Sequence, residues 1–283
     1  MDILINELSL DSQFSNESDF LDTFLETIKI INIIDKLSFS LLKKYDLYSC
    51  KVTNNLDLGS ILKIKGNDKI TKFKSFLSKL MNDPPYWELE QKHLITDIYE
   101  CNQTTLTSGY SIAESCERDK IVLSFKNSNF SNDIINLTKN TEPHEIYNSI
   151  DYIKFLDFLY IKGKISEIDY CLNRFTINLN FSNLDNEEKG FRKLENEEKN
   201  AFITTFIMFS NMTWKEISES DGLDYKPYSP SSKSDYIFKN TQWNNKTIYK
   251  FRCSQKYRCF GYREKDTFFV LFLEKDHKIS DKG

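Results

Sequence analysis

The amino-acid sequence predicts an α+β protein, and three patterns carry that reading. Apolar residues recur at three- and four-residue steps in several long runs, as amphipathic helices require. One run, Arg174–Phe181, alternates strictly. It puts Phe175, Ile177, Leu179 and Phe181 on one face and Thr176, Asn178 and Asn180 on the other, the mark of a strand with one buried side. From Lys246 onward, three runs rich in aromatic and β-branched residues are separated by polar turns at Ser254–Lys256 and Glu264–Asp266, which predicts an antiparallel meander. With 40% hydrophobic and 14% aromatic residues, the 283-residue chain can bury a core, and its length suits two domains.

Taken in order, Ile3–Leu10 alternates apolar and polar residues and is expected to open the chain as a strand. Ser15–Lys36 follows as a helix. Its apolar positions are Phe20, Leu21, Phe24, Leu25, Ile28, Ile31 and Ile34, and Asp19, Asp22 and Glu26 sit early, where the helix dipole favours carboxylates. Phe39–Tyr48 fits a strand or a short helix equally. Asp68–Met81 is a second amphipathic helix, with Ile70, Phe73, Leu77 and Leu80 inward and Lys69, Lys72, Lys74 and Lys79 on a solvated face. Asn82-Asp83-Pro84-Pro85 ends it. Tyr86-Trp87 is expected to pack under the next loop, and Ile121–Phe125 to form a short buried strand. The Asn- and Ser-rich stretch Asn127–Thr141 reads as loop. Pro143–Leu159 reads as helix, with proline near the start, where a missing amide hydrogen costs little. These elements give an N-terminal α+β domain over 1–140, a helical connector over 141–170 and a C-terminal α+β domain over 171–283.

In the C-terminal domain the strand Arg174–Phe181 leads to a short helix within Glu187–Glu195 and a longer one over Glu197–Ser210. Thr213 is placed to cap a further turn at Trp214–Ile217. Asp221–Lys239 is a long, turn-rich loop, a kind that is usually functional or mobile in a compact domain. Thr267–Leu273 is apolar on both faces and is the expected central strand of the closing sheet.

The net charge of −4 argues against a generally basic binder of nucleic acid, although cations outnumber acids from Thr241 onward. Cys50, Cys101, Cys116, Cys171, Cys253 and Cys259 are scattered without a CxxC pair, so they read as free structural thiols and no metal is expected. Only eight glycines occur, with no phosphate-binding glycine loop and no nucleophile elbow, so no cofactor is expected either. The first residues lack a basic n-region, and no apolar run approaches the ~20 residues of a membrane helix. The expectation is a cytoplasmic protein without membrane contact.

The C-terminal order is strand, helix, helix, long loop and three antiparallel strands. Its hairpin reads Tyr-x-Phe-Arg-x-Ser-x-x-Tyr-Arg-x-x-Gly-Tyr from Tyr249 to Tyr262, and His277-Lys278 follows an apolar strand. Over about residues 174–281 this resembles the RelE/HigB/ParE superfamily of bacterial toxins. The resemblance implies a metal-independent endoribonuclease in which Arg252 and Arg258 contact the RNA phosphate and His277 moves a proton. Lys250, Lys256 and Lys278 would then be accompanying nucleic-acid contacts. It further implies a prokaryotic toxin-like effector of a phage-defence or toxin–antitoxin system, acting on RNA or the ribosome and held by a protein partner such as an antitoxin or defence complex. The sequence departs from the pattern in two places. No aromatic closely follows His277, and the lysines before the hairpin are few: Lys239, Lys246 and Lys250.

The ParE branch is understood to act on a gyrase target, so the same scaffold also fits a non-catalytic interaction subunit of a larger protein or nucleoprotein complex. In that reading Arg252 and Arg258 pair with nearby acids such as Glu264, Asp266, Glu274 and Asp276, and His277 is a surface residue. His93 and His144 stand isolated in sequence and have no assigned role.

Overall fold

The structure, a computed structural model, describes residues 1–65, 68–101, 104–106, 110–232 and 234–283. It is a mixed α and β protein with a seven-stranded and a five-stranded sheet, and it divides into two compact units, Met1–Phe155 and Leu156–Gly283.

The first unit comprises β1 (Asp2–Ile5), α1 (Glu17–Lys36), β2 (Ser40–Leu42), α2 (Leu58–Ile61), α3 (Asp68–Asn82), β3 (Tyr99–Cys101), β4 (Thr104–Leu106), α4 (Ser111–Cys116), β5 (Ile121–Leu123), β6 (Ile134–Lys139) and β7 (Glu142–Ser149). α5 (Tyr152–Ile161) spans the division. The sheet order is β2-β1-β5-β7-β6-β3-β4, parallel from β2 to β7 and antiparallel beyond. α1 starts where the Asn16 side chain accepts the Asp19 amide, and it buries Phe20, Phe24, Ile30 and Ile34. The rings of Phe20 and Phe24 pack on Phe125, and Phe24 meets Phe73 of α3 edge-on. On α3, Ile70, Phe73, Leu77 and Leu80 are buried and Lys74 and Lys79 exposed; the side chains of Lys69 and Lys72 lie outside the described residues.

Three expectations for this unit need correcting. The opening strand stops at Ile5, because the Asn6 side chain accepts the Leu8 amide and starts a single 3-10 turn over Glu7–Ser9. Residues 134–139 form β6 rather than loop: Ile135 and Leu137 alternate inward, and pairing with β7 and β3 outweighs the local polar composition. Residues 142–149 form β7 rather than the start of a helix. The buried Ile146 and Ile150 fit a two-residue period as well as a four-residue one, and β5 supplies the parallel partner that decides the choice. Pro143 sits opposite Thr138 near the strand's beginning.

The second unit contains α6 (Glu167–Arg174), β8 (Leu179–Asn180), α7 (Asn196–Ser210), α8 (Trp214–Glu219), β9 (Lys226–Pro227), β10 (Ile248–Arg252), β11 (Arg258–Glu264) and β12 (Thr267–Glu274). Its sheet runs β8-β12-β11-β10-β9, so the central strand is β11 rather than the expected Thr267–Leu273. β12 lies between β11 and β8, pairing antiparallel with the first and parallel with the second. The expected strand over 174–181 shrinks to two residues because α6 persists to Arg174. Phe175, Leu179 and Phe181 are buried as the alternation required, but Ile177 is 83% exposed. In place of the expected short helix, Phe191–Lys193 is one 3-10 turn. α7 and α8 both open with capping boxes, Glu195 with Glu198 and Thr213 with Glu216. Phe206 of α7 lies among Phe175, Phe181, Phe202 and Phe251.

Candidate functional site

β10 and β11 are one antiparallel ladder, and its register decides where the cations stand. Arg252 is directly opposite Arg258, Arg258 is opposite Glu274 of β12, and Lys250 is opposite Lys226 of β9. Residues two apart on a strand share a face, so Lys250 and Arg252 project together. Phe251 projects the other way, onto Phe206, Phe209 and Phe268. The helical side of the sheet is therefore apolar core. The opposite side is covered as well: Tyr228 and Phe238 from the long loop pack with Ile248, Phe260, Tyr262 and Leu271, and Ile279 packs against them.

The covering segments take up the cations. Lys250 is 5% exposed; its Nζ donates to the Ser280 carbonyl at 2.5 Å and also to the Gly283 carbonyl. The Glu274 carboxylate accepts the amides of Ile279 at 2.5 Å and Ser280 at 3.1 Å, which holds that turn in place. Arg258 is 6% exposed, and its Nη1 donates to the carbonyls of Ser254 (2.8 Å), Gln255 (3.3 Å) and Tyr257 (2.9 Å). Burial, then the neighbouring Lys226 and Arg258 charges, hold the Lys250 ammonium below its ordinary pKa; burial and Arg252 do the same to Arg258. Asp224 bridges Lys226 at 2.9 Å and Arg252 at 3.5 Å, and the Lys226 bond keeps its carboxyl below the usual range.

The remaining candidates are dispersed. His277 sits at φ +59°, and its Nδ1 is 3.7 Å from the Asp281 carboxylate. Lys278 pairs with Asp276 at 2.6 Å, and Lys256 is exposed on the hairpin turn. Arg252 and Arg258 are thus brought together, while no contact among the described residues joins His277 to either. Lys226 and Asp224, which complete the charge cluster, were missed in the sequence. They lie inside a turn-rich stretch with no periodicity to mark them.

The first unit holds a second buried polar cluster that the sequence concealed. His93 and Glu114 are fully buried, with Nδ1 2.6 Å from Oε2. The same carboxylate accepts the amides of Lys92 and His93 and, at 2.6 Å, the Nε–H of Arg118, whose Nη1 reaches Asp2 at 2.7 Å. Burial alone would raise the Glu114 pKa, but the bonds from His93 and Arg118 outweigh it and hold the carboxyl low. Neither partnership shows in the sequence, where residues 111–118 carry no assigned helix and His93 lies 21 residues upstream of Glu114. Near the carboxyl ends of the parallel strands, Glu7 accepts the Ser111 amide at 2.8 Å, and its Oε2 has no hydrogen-bond partner among the described residues. Burial pushes this carboxyl up to about 6, against the pull of the Ser111 bonds.

Among the described residues no group of His, Cys, Asp or Glu is arranged to hold a metal, and no helix is long and apolar enough to cross a membrane. All six cysteines are free thiols. No protein-family model, curated protein or solved structure matches the chain.

Proposed function

We propose that this chain works by binding, as a non-catalytic interaction subunit of a larger protein or nucleoprotein complex. The observation that carries this reading is that Lys250 and Arg258 are buried and engaged by main-chain carbonyls of their own unit. Metal-free RNA cleavage needs cations aimed at the phosphate where charge develops. Donors already held by carbonyls, on a sheet face covered by the chain's own loop, are not so aimed.

A second reading has one observation in its favour: the cross-strand pair Arg252–Arg258, with the Arg252 side chain 41% exposed. In that reading the second unit is RelE-like, the chain is a toxin-like effector, and Arg252 leads the contact with RNA. Purified protein incubated with RNA and with translating ribosomes, in the presence of a chelator, separates the two. The binding reading expects both substrates to remain intact. It also expects Arg258→Ala to lower stability in urea by about 1–3 kcal/mol, because three carbonyls lose their donor. Cleavage by the wild type that disappears in a folded Arg258→Ala variant would sink the binding reading.

A further inference from the structure

Four of the thirteen exposed large hydrophobic side chains among the described residues fall within ten positions: Leu89, Leu94, Ile95 and Ile98, exposed by 78%, 62%, 77% and 57%. Single exposed aliphatics are ordinary, but a concentration of them rimmed by polar residues marks a contact surface. The backbone that carries them is irregular between the 3-10 turn Trp87–Glu90 and β3, yet it is fixed at many points. Trp87 is buried and donates its Nε1–H to Ser111 Oγ at 3.0 Å. Glu114 holds the amides of Lys92 and His93, Arg118 donates to the Glu90 carbonyl at 2.6 Å, and Asn140 exchanges bonds with Ile98. The inward residues are therefore anchors, and the aliphatics are held outward on a stiff frame. Preorganisation of that kind lowers the ordering cost of association.

The charges beside the strip select the occupant. Within residues 88–100, Glu90 and Glu100 are exposed and Lys92 is the one exposed cation; Glu88 is exposed with its carboxylate accepting the Tyr45 amide at 2.5 Å, and Asp97 is paired with Lys139 at 3.0 Å. We infer that residues 88–98 are a docking surface for a protein segment that is apolar on one side and carries lysine or arginine at its flanks. This rests on the binding reading above and adds the surface and the partner's chemistry. A second copy of the chain would bring the same acids face to face.

The test uses the full chain and two labelled helical peptides, both with leucine along one face, one with lysine and one with glutamate along the other. Fluorescence anisotropy is expected to show saturable binding of the lysine peptide only. Binding should weaken about tenfold or more in the double variant Leu94→Ser, Ile95→Ser. It should also weaken in Glu90→Lys, Glu100→Lys. These side chains are exposed, so thermal melts of the variants should match the wild type. The proposal is overturned if neither peptide binds, if both bind alike, or if the serine variants bind as well as the wild type. It is also overturned if sedimentation shows a dimer that the serine variants lose, which would assign the strip to self-association. RNA cleavage by the wild type would sink the reading of the second unit without changing the peptide result, so the two failures are distinguishable.

Discussion

At the scale of single residues, the chemistry turns on what surrounds each charge. Arg252, Arg258 and His277 were visible in the sequence as candidates because their types and the hairpin pattern were visible. That Arg258 faces three carbonyls of its own turn was not, since those partners are main-chain atoms and carry no residue identity. Glu7 illustrates the same limit in the other unit: nothing in Asn-Glu-Leu-Ser signals burial, yet the carboxyl is enclosed, with one oxygen lacking a partner among the described residues. Its pKa rises from the ordinary 4.5 to about 6 on folding, so the folded state holds the proton more tightly than the unfolded state. The resulting stabilisation is full below about pH 4.5 and is lost as pH rises through about 6. The amplitude is roughly 2 kcal/mol for this size of shift. Urea denaturation across that window should show the wild type losing stability relative to Glu7→Gln as pH rises. The difference between the two proteins isolates Glu7 from carboxyls such as Glu114, whose lowered pKa acts in the opposite sense. A pH-independent difference would mean that folding does not raise the Glu7 pKa.

At the scale of elements, periodicity succeeded where one answer fitted the pattern. α1, α3 and α7 were legible because their apolar steps extend over several turns, and β10, β11 and β12 because turns separate them. Residues 134–149 are strands that local composition does not signal: β6 and β7 pair with each other and are completed by β3 and β5, which lie farther away in sequence. Ile177 shows the converse: perfect alternation does not bury a residue when the chain supplies only a two-residue strand. Packing within α7 yields a graded expectation. Phe206 is fully buried among aromatic rings, so Phe206→Ala should cost about 3–5 kcal/mol. Phe269 is only partly buried, stacked on Tyr262 at 4.9 Å, and Phe269→Ala should cost less. Lys74→Ala, on the exposed face of α3, should fall within about 0.5 kcal/mol of the wild type. Thermal melts that reversed this order would show that the packing has been assigned to the wrong faces.

For the whole molecule, the net charge of −4 and the internal pairing of the β9–β11 cations point the same way. Binding to polyanions depends on cations free to displace counterions, and few are free on this sheet face. The chain is expected to pass through a heparin column at about physiological ionic strength; retention until high salt would show that the cationic face opens in solution. The clamp around Glu114 has a different consequence, in the order of assembly. It joins Asp2, Glu90, Glu114 and Arg118, and the link from Asp2 to Arg118 closes 116 residues of chain. Contacts between residues so distant in sequence form only after the intervening loop entropy has been overcome. A partly folded chain, or one still emerging from synthesis, therefore lacks the framed loop although its leucines and isoleucines are already exposed. A partner that recognises that frame would distinguish a finished molecule from a nascent one.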